Sequence, residues 1–113
     1  MTITRDVFAS MLLENKTVYI FYFTATWCKP CQSIKDYLSK KVPTLDNIHF
    51  VVVDIDVHFD VYSYLRTKKQ IVGVPSFLAY KAGNTSFASD LYISGTNIAQ
   101  LDCFFEECMS WIE

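Results

Sequence analysis

Trp27-Cys28-Lys29-Pro30-Cys31 is the stretch on which the reading turns, because it stands between two neighbours of opposite character. Upstream, Val18 to Thr24 is apolar or aromatic at nearly every residue, the pattern of a strand buried on both faces. Downstream, Pro30 suits a first helical turn, where its missing N–H costs nothing, and Ile34, Leu38 and Val42 recur at helical spacing until Pro43. The two cysteines therefore fall where a buried strand hands over to a helix.

That position carries chemistry. Disulfides are exchanged by a thiolate attacking one sulfur, so a reversible exchanger needs a nucleophilic Cys and a second Cys that releases the mixed disulfide. At a helix start the first Cys meets unpaired N–H groups and the positive dipole end, which favour a thiolate, and the second lies one turn on. The spacing assigns attack to Cys28 and resolution to Cys31. Lys29 adds a positive charge beside the thiolate and makes the couple somewhat more oxidising. Trp27 is expected to wall the sulfur, and Pro30 to stiffen the loop. Taken alone, the same spacing also serves zinc sites and haem attachment, or a binding domain whose cysteines are idle. Zinc needs two more ligands, and Cys103 with Cys108, five residues apart, fall on different sides of one helix. His49 and His58 read as ordinary strand-end and loop residues.

Working outward, Thr4 can cap a first helix carrying Val7, Phe8, Met11 and Leu12, which Asn15 and Lys16 break. His49 to Asp56 reads as a second buried strand, parallel to the first across the intervening helix. Asp60 to Lys69 reads as a shorter helix. Ser76 to Tyr80 and Ser86 to Ser94 flank Lys81-Ala82-Gly83-Asn84, a hairpin signal that predicts antiparallel pairing. Asn97 can cap a last helix with Ile98, Leu101, Phe105, Cys108 and Ile112 on one face. Cys108 is then a core residue, and Cys103 turns toward solvent as a candidate for oxidation or intermolecular bonding. The Phe104, Phe105 and Trp111 cluster reads as packing.

The whole, residues 1–113, reads as one domain of mixed α/β class. With 51% hydrophobic and 19% charged residues it has material for a core. A formal charge of −2 without long basic runs argues against nucleic acid and anionic membranes. The longest apolar stretch, Val18 to Phe23, is far short of the roughly 20 residues that span a bilayer. Met1 to Arg5 shows no leader pattern, so a reducing, cytoplasmic setting and a monomer are expected. Four cysteines then read as reactive or core thiols.

About 45 residues after the dithiol comes Gly73-Val74-Pro75-Ser76, directly before a predicted strand. Together the two motifs resemble the thioredoxin family: WCKPC stands at its WCxxC, VGVPS at its cis-proline loop, and the order of elements agrees from about Val18 to Ile112. The resemblance implies a thioredoxin fold with a four-stranded sheet, or five if Thr2 to Thr4 form an edge strand, and helices on both faces. It implies that Pro75 is cis, packs against the dithiol and keeps metal away. It implies that the Val74 backbone pairs with an extended substrate, in a groove kept shallow by Gly73 and Gly95. The implied activity is reduction of protein disulfides, in the service of electron transport and cell redox homeostasis. No bound cofactor is implied; reducing equivalents come from thioredoxin reductase or the glutathione system. A partner-binding module without turnover, or a more oxidising glutaredoxin-like or isomerase-like exchanger, are the rival readings.

The chain also departs from the family. Tyr22 stands where a buried Asp is usual, and Val52 where its Lys partner is usual, so protons for Cys31 must pass through water, the Tyr22 hydroxyl or another group. Asp36 replaces a kinking Pro, which predicts a straighter helix. The stretch from Asp56 to Pro75 is about four residues longer than is common, enough for one extra helical turn.

Overall fold

The computed structural model describes residues 2–112. Thr4 accepts a hydrogen bond from the Val7 N–H and opens α1, Arg5–Glu14. Asn15 closes it and is buried for a second purpose: its amide donates to the Tyr80 carbonyl at 3.1 Å, while its oxygen accepts from the Thr17 N–H. The chain then enters β1, Val18–Thr24, the central strand anticipated from its unbroken apolar run.

β1 pairs in parallel with β2, Ile48–Asp54, and antiparallel with β3, Ser76–Lys81, which in turn pairs antiparallel with β4, Leu91–Ser94. The strand order is β2-β1-β3-β4. No fifth strand is present among the described residues. The segment before α1 runs elsewhere: the Ile3 N–H donates to His58 Nδ1 at 2.8 Å, and Arg5 grips Asp60 through both its backbone and its guanidinium. His58 and Asp60 belong to the start of α4, Phe59–Thr67.

Four expectations need correction. The helix after the motif is not straighter; it breaks at Ile34 (φ −104°, ψ 5°) into α2, Lys29–Ser33, and α3, Lys35–Lys41. No proline is required, because the Ser33 hydroxyl donates to the Pro30 carbonyl at 2.6 Å and the Ile34 N–H turns to the Cys31 carbonyl, and such back-bonding bends helices. β2 is not buried on both faces. It is an edge strand on which only Val53 is fully covered. The second strand of the hairpin is short, because 82–90 form a loop in which Asn84 and Asp90 tie the turn to itself and to the Lys81 N–H. The extra length before Pro75 is also not all helix: α4 stops at Thr67, with Lys69 left-handed at φ 60°.

The core forms two layers separated by the sheet. Phe8, Phe21 and Tyr80 meet edge to face on the layer under α1 and α4. Ile20, Tyr22 and Phe77 pack on the other layer against α5, Ile98–Ser110, which contributes Leu101, Phe104, Phe105 and Cys108. α5 starts as expected, with the Asn97 side chain accepting from the Gln100 N–H. Ile98, however, lies exposed in its first turn.

Burial holds two ionisable groups of this core neutral. The Cys108 thiol is pushed up to about 12, mainly by desolvation, and the Tyr80 phenol is raised by desolvation with Asp90 adding to it. In the unfolded chain these groups ionise near 9 and 10, so above about pH 9 the unfolded state binds fewer protons than the native one. Their contribution is complete below that pH and is lost as pH rises toward 12. Melting temperatures are expected to hold level from neutrality to about pH 9 and then fall; a flat profile up to pH 12 would refute this assignment.

Candidate functional site

β1 ends at Thr24 and delivers a short loop into the dithiol. The Cys28 N–H donates back to the Ala25 carbonyl, and Cys28 then takes extended backbone angles as the N-cap of α2, with Pro30 in the first turn. As the cap residue it does what a Ser or Asp does elsewhere: its Sγ accepts a hydrogen bond from the Cys31 N–H at 3.2 Å. That N–H is one of the unpaired donors of a helix start, and it stabilises negative charge on the Cys28 sulfur when the dithiol is reduced.

Cys28 and Cys31 are joined in a disulfide with Cα atoms 5.3 Å apart. Cys28 keeps 4% of its surface exposed and Cys31 only 1%, so Cys28 is the outer member of the pair. Lys29 and Pro30 lie exposed on the same turn. Trp27 is 63% exposed yet held: its indole N–H donates to Asp56 Oδ2 at 2.9 Å. Asp56 in turn is fixed by its own N–H on Asp54 Oδ1. Sequence reasoning missed Asp56. The signal was the parallel pairing, since the register Thr24↔Asp54 sets the end of β2 beside the end of β1.

The second motif arrives from β3. The Val74–Pro75 peptide is cis, as the resemblance implied. Val74 packs, half-buried, against the hydrophobic cluster that contains both active cysteines. Among the described residues its backbone N–H and C=O have no hydrogen-bond partner. The flanking groups are occupied: Gly73 O accepts from the Ser76 hydroxyl at 2.6 Å, and Pro75 O from the Gly95 N–H at 3.1 Å. Gly95 sits at φ 96°, which favours glycine for its backbone alone. A Cβ on Gly73 or Gly95 would meet no atom within 4 Å, so both face open space beside Val74.

Behind the disulfide lies a groove of about 330 Å³ lined by Tyr22, Thr24, Cys31, Lys35, Phe50 and Val52, among others. Tyr22 and Val52 are register partners across β1 and β2, so the family's acid and lysine positions are neighbours here, filled by a phenol and an alkyl group. Tyr22 stacks on Phe77 with ring centroids 4.6 Å apart. Burial raises its phenol above the ordinary range, partly offset by a hydrogen bond with Thr24; at neutral pH it can pass a proton along but cannot hold a charge. The other cysteines divide as expected, Cys103 exposed and Cys108 buried. His49 stacks on Tyr19 and His58 braces Ile3, which gives both structural roles.

The comparisons with known proteins agree with this geometry. A family model described as thioredoxin matches residues 1–104. A putative thioredoxin-5 of Dictyostelium discoideum is 36% identical over 73 residues, 63% of this chain and 66% of its own. Thioredoxin 3 of Plasmodium falciparum is 31% identical over 103 residues, 91% of this chain and 53% of its own. The chain thus spans about half to two thirds of the length of these curated relatives. A solved Plasmodium falciparum thioredoxin superposes with a TM-score of 0.72 at 28% identity, covering 92% of this chain and 93% of that one.

The indole anchor yields a test. Asp56→Ala is expected to free Trp27, lowering its fluorescence anisotropy and slowing exchange with a protein disulfide several-fold, whereas Asp56→Asn, which keeps an acceptor, retains most of both. An unchanged anisotropy in Asp56→Ala would show that the hydrogen bond does not hold the ring.

Proposed function

The chain belongs to the thioredoxin family, and from that premise we propose that it is a thiol–disulfide oxidoreductase that reduces disulfides in client proteins. The observation that carries the reading is the Cys31 N–H aimed at the sulfur of the outer cysteine, Cys28. In the reduced protein the Cys28 thiolate attacks one sulfur of a client disulfide, forming a mixed disulfide and expelling the first client thiolate. Cys31 then loses its proton and attacks the Cys28 sulfur. The second client thiolate leaves, two electrons have passed to the client, and the Cys28–Cys31 bond seen here is restored. The unpaired backbone of Val74 supports pairing with an extended client segment in the groove beside Gly73 and Gly95.

Protons for Cys31 have no carboxylate among the groove residues to carry them. Tyr22 and Thr24, or water in the groove, serve instead. The reaction needs no bound cofactor, and thioredoxin reductase or the glutathione system resets the dithiol. A cytoplasmic location, with a part in electron transport and cell redox homeostasis, completes this reading. The exposed charge of Lys29 favours, as a second reading, a couple more oxidising than a general reductase. A reduction potential near about −270 mV supports the reductase, and one near about −180 mV the isomerase-like alternative.

Cys28→Ser is expected to abolish turnover in an insulin-reduction assay, while Cys31→Ser accumulates covalent mixed disulfides that dithiothreitol releases. Undiminished biological activity of Cys28→Ser in the cell would instead favour a binding module, and no insulin reduction by the intact chain with either thioredoxin reductase or glutathione as donor would overturn the reductase reading.

A further inference from the structure

We propose that Ser76 is a positioning residue for client binding: through the Gly73 carbonyl, its hydroxyl sets the direction in which the Val74 N–H is offered to an extended client segment. This role presupposes the reductase function proposed above. Ser76 opens β3 and is fully buried. Its hydroxyl donates to the Gly73 carbonyl at 2.6 Å. That carbonyl and the Val74 N–H belong to one peptide group, which is trans, since the cis bond is the next one along. Planarity makes the two antiparallel, so a carbonyl drawn toward Ser76 turns the Val74 N–H away from it.

Little else fixes that plane. Among the described residues, the backbone groups of 71–74 enter no hydrogen bond besides this one. Ile71 is buried and anchors the upstream side by packing, but Val72 is exposed. The plane turns about ψ of Gly73 and φ of Val74. Gly73 has no side chain to restrict the first, and the space around it is open, since even an added Cβ would meet nothing within 4 Å. Without the hydroxyl the peptide is free to flip, and a flipped plane presents a carbonyl where a client carbonyl needs a donor. Downstream the chain is already pinned, by the Gly95 N–H on the Pro75 carbonyl and by the pairing of β3 with β4 from Ser76↔Ser94 onward. Ser76 therefore secures the loose side of the loop.

Tyr92 supports the arrangement from β4, with its hydroxyl 3.4 Å from Ser76 Oγ. A serine hydroxyl has one proton. Here that proton goes to Gly73, so the Tyr92 hydroxyl is the donor of the pair. Donation into the Ser76 oxygen polarises its O–H toward the Gly73 carbonyl. The contact is the longer of the two and contributes less. Tyr92 is exposed, and a phenylalanine in its place keeps the ring and removes the hydroxyl alone.

Two readouts test the role. In the free protein, the NMR order parameter of the Val74 N–H is expected near the rigid value of about 0.85 in the intact chain and below about 0.6 in Ser76→Ala. Ser76→Thr, which keeps the hydroxyl, is expected to stay close to the intact chain. Protein reduced beforehand is then mixed with insulin, whose backbone can pair with Val74, or with the disulfide of mercaptoethanol, which has no backbone to pair. Ser76→Ala is expected to raise the half-saturating insulin concentration about fivefold at an unchanged limiting rate, and to leave the rate with the mercaptoethanol disulfide as it was. Ser76→Thr restores the insulin constant. Tyr92→Phe shifts it the same way by about twofold, and decides the matter if Ser76→Ala does not fold. A Val74 N–H equally rigid without the hydroxyl overturns the proposal, as does an unchanged insulin constant. Equal slowing with both disulfides also overturns it, by tracing the effect to a damaged dithiol. Failure of the intact chain with both disulfides is a separate result: it overturns the reductase function and this role with it.

Discussion

The amide of Cys31 can point at the sulfur of Cys28 only because α2 begins where β1 stops, and β1 has almost no freedom in where it stops. Its side chains are packed above and below, and both of its edges are paired. A slip of one residue would send Ile20 and Tyr22 to the layer that holds Phe21 and Phe23. Burial of large aromatic groups on both faces, at about 1.5–3 kcal/mol each, therefore sets the register that places a small catalytic contact. The polar chemistry at the carboxyl end is positioned by apolar packing along the strand.

Three strands converge on that point, each supplying what the others lack. β1 brings the dithiol, β2 brings Asp56 to steady the indole, and β3 brings the Val74 loop with its unpaired backbone. Gly95, at the end of β4, ties the loop down through the Pro75 carbonyl and offers no side chain toward the opening. Under the proposed function, these groups orient the backbone of a client segment beside the dithiol.

Much of this was legible in the sequence where local chemistry and burial agree. The limits of β1, the caps at Thr4 and Asn97, the buried Cys108 and the exposed Cys103 all follow from residue type at a given spacing, whereas the cis Pro75 came only through the family resemblance. The errors arose where an outcome depends on what lies alongside. β2 is as apolar as a central strand, and only the sheet order reveals that its outer side is bare. The break at Ile34 comes from one serine hydroxyl competing for a carbonyl, an effect that helical periodicity does not register. Asp56 was invisible because its role depends on a pairing between strands almost thirty residues apart.

The division of the core into two layers has a consequence for how the chain is made. The layer holding the dithiol is assembled entirely from residues no later than Phe87, so it can close while the rest is still being synthesised. The opposite layer needs Leu101, Phe104, Phe105 and Cys108 from the last helix, and Asp102 of that helix also receives the Tyr37 hydroxyl and the Lys41 ammonium. Until those residues leave the ribosome, Ile20 and Phe77 lack their cover on one side of the sheet. A chain truncated near residue 96 would retain every residue of the dithiol layer yet leave Ile20 and Phe77 without their cover, and exposed apolar surface of that kind is what chaperones hold.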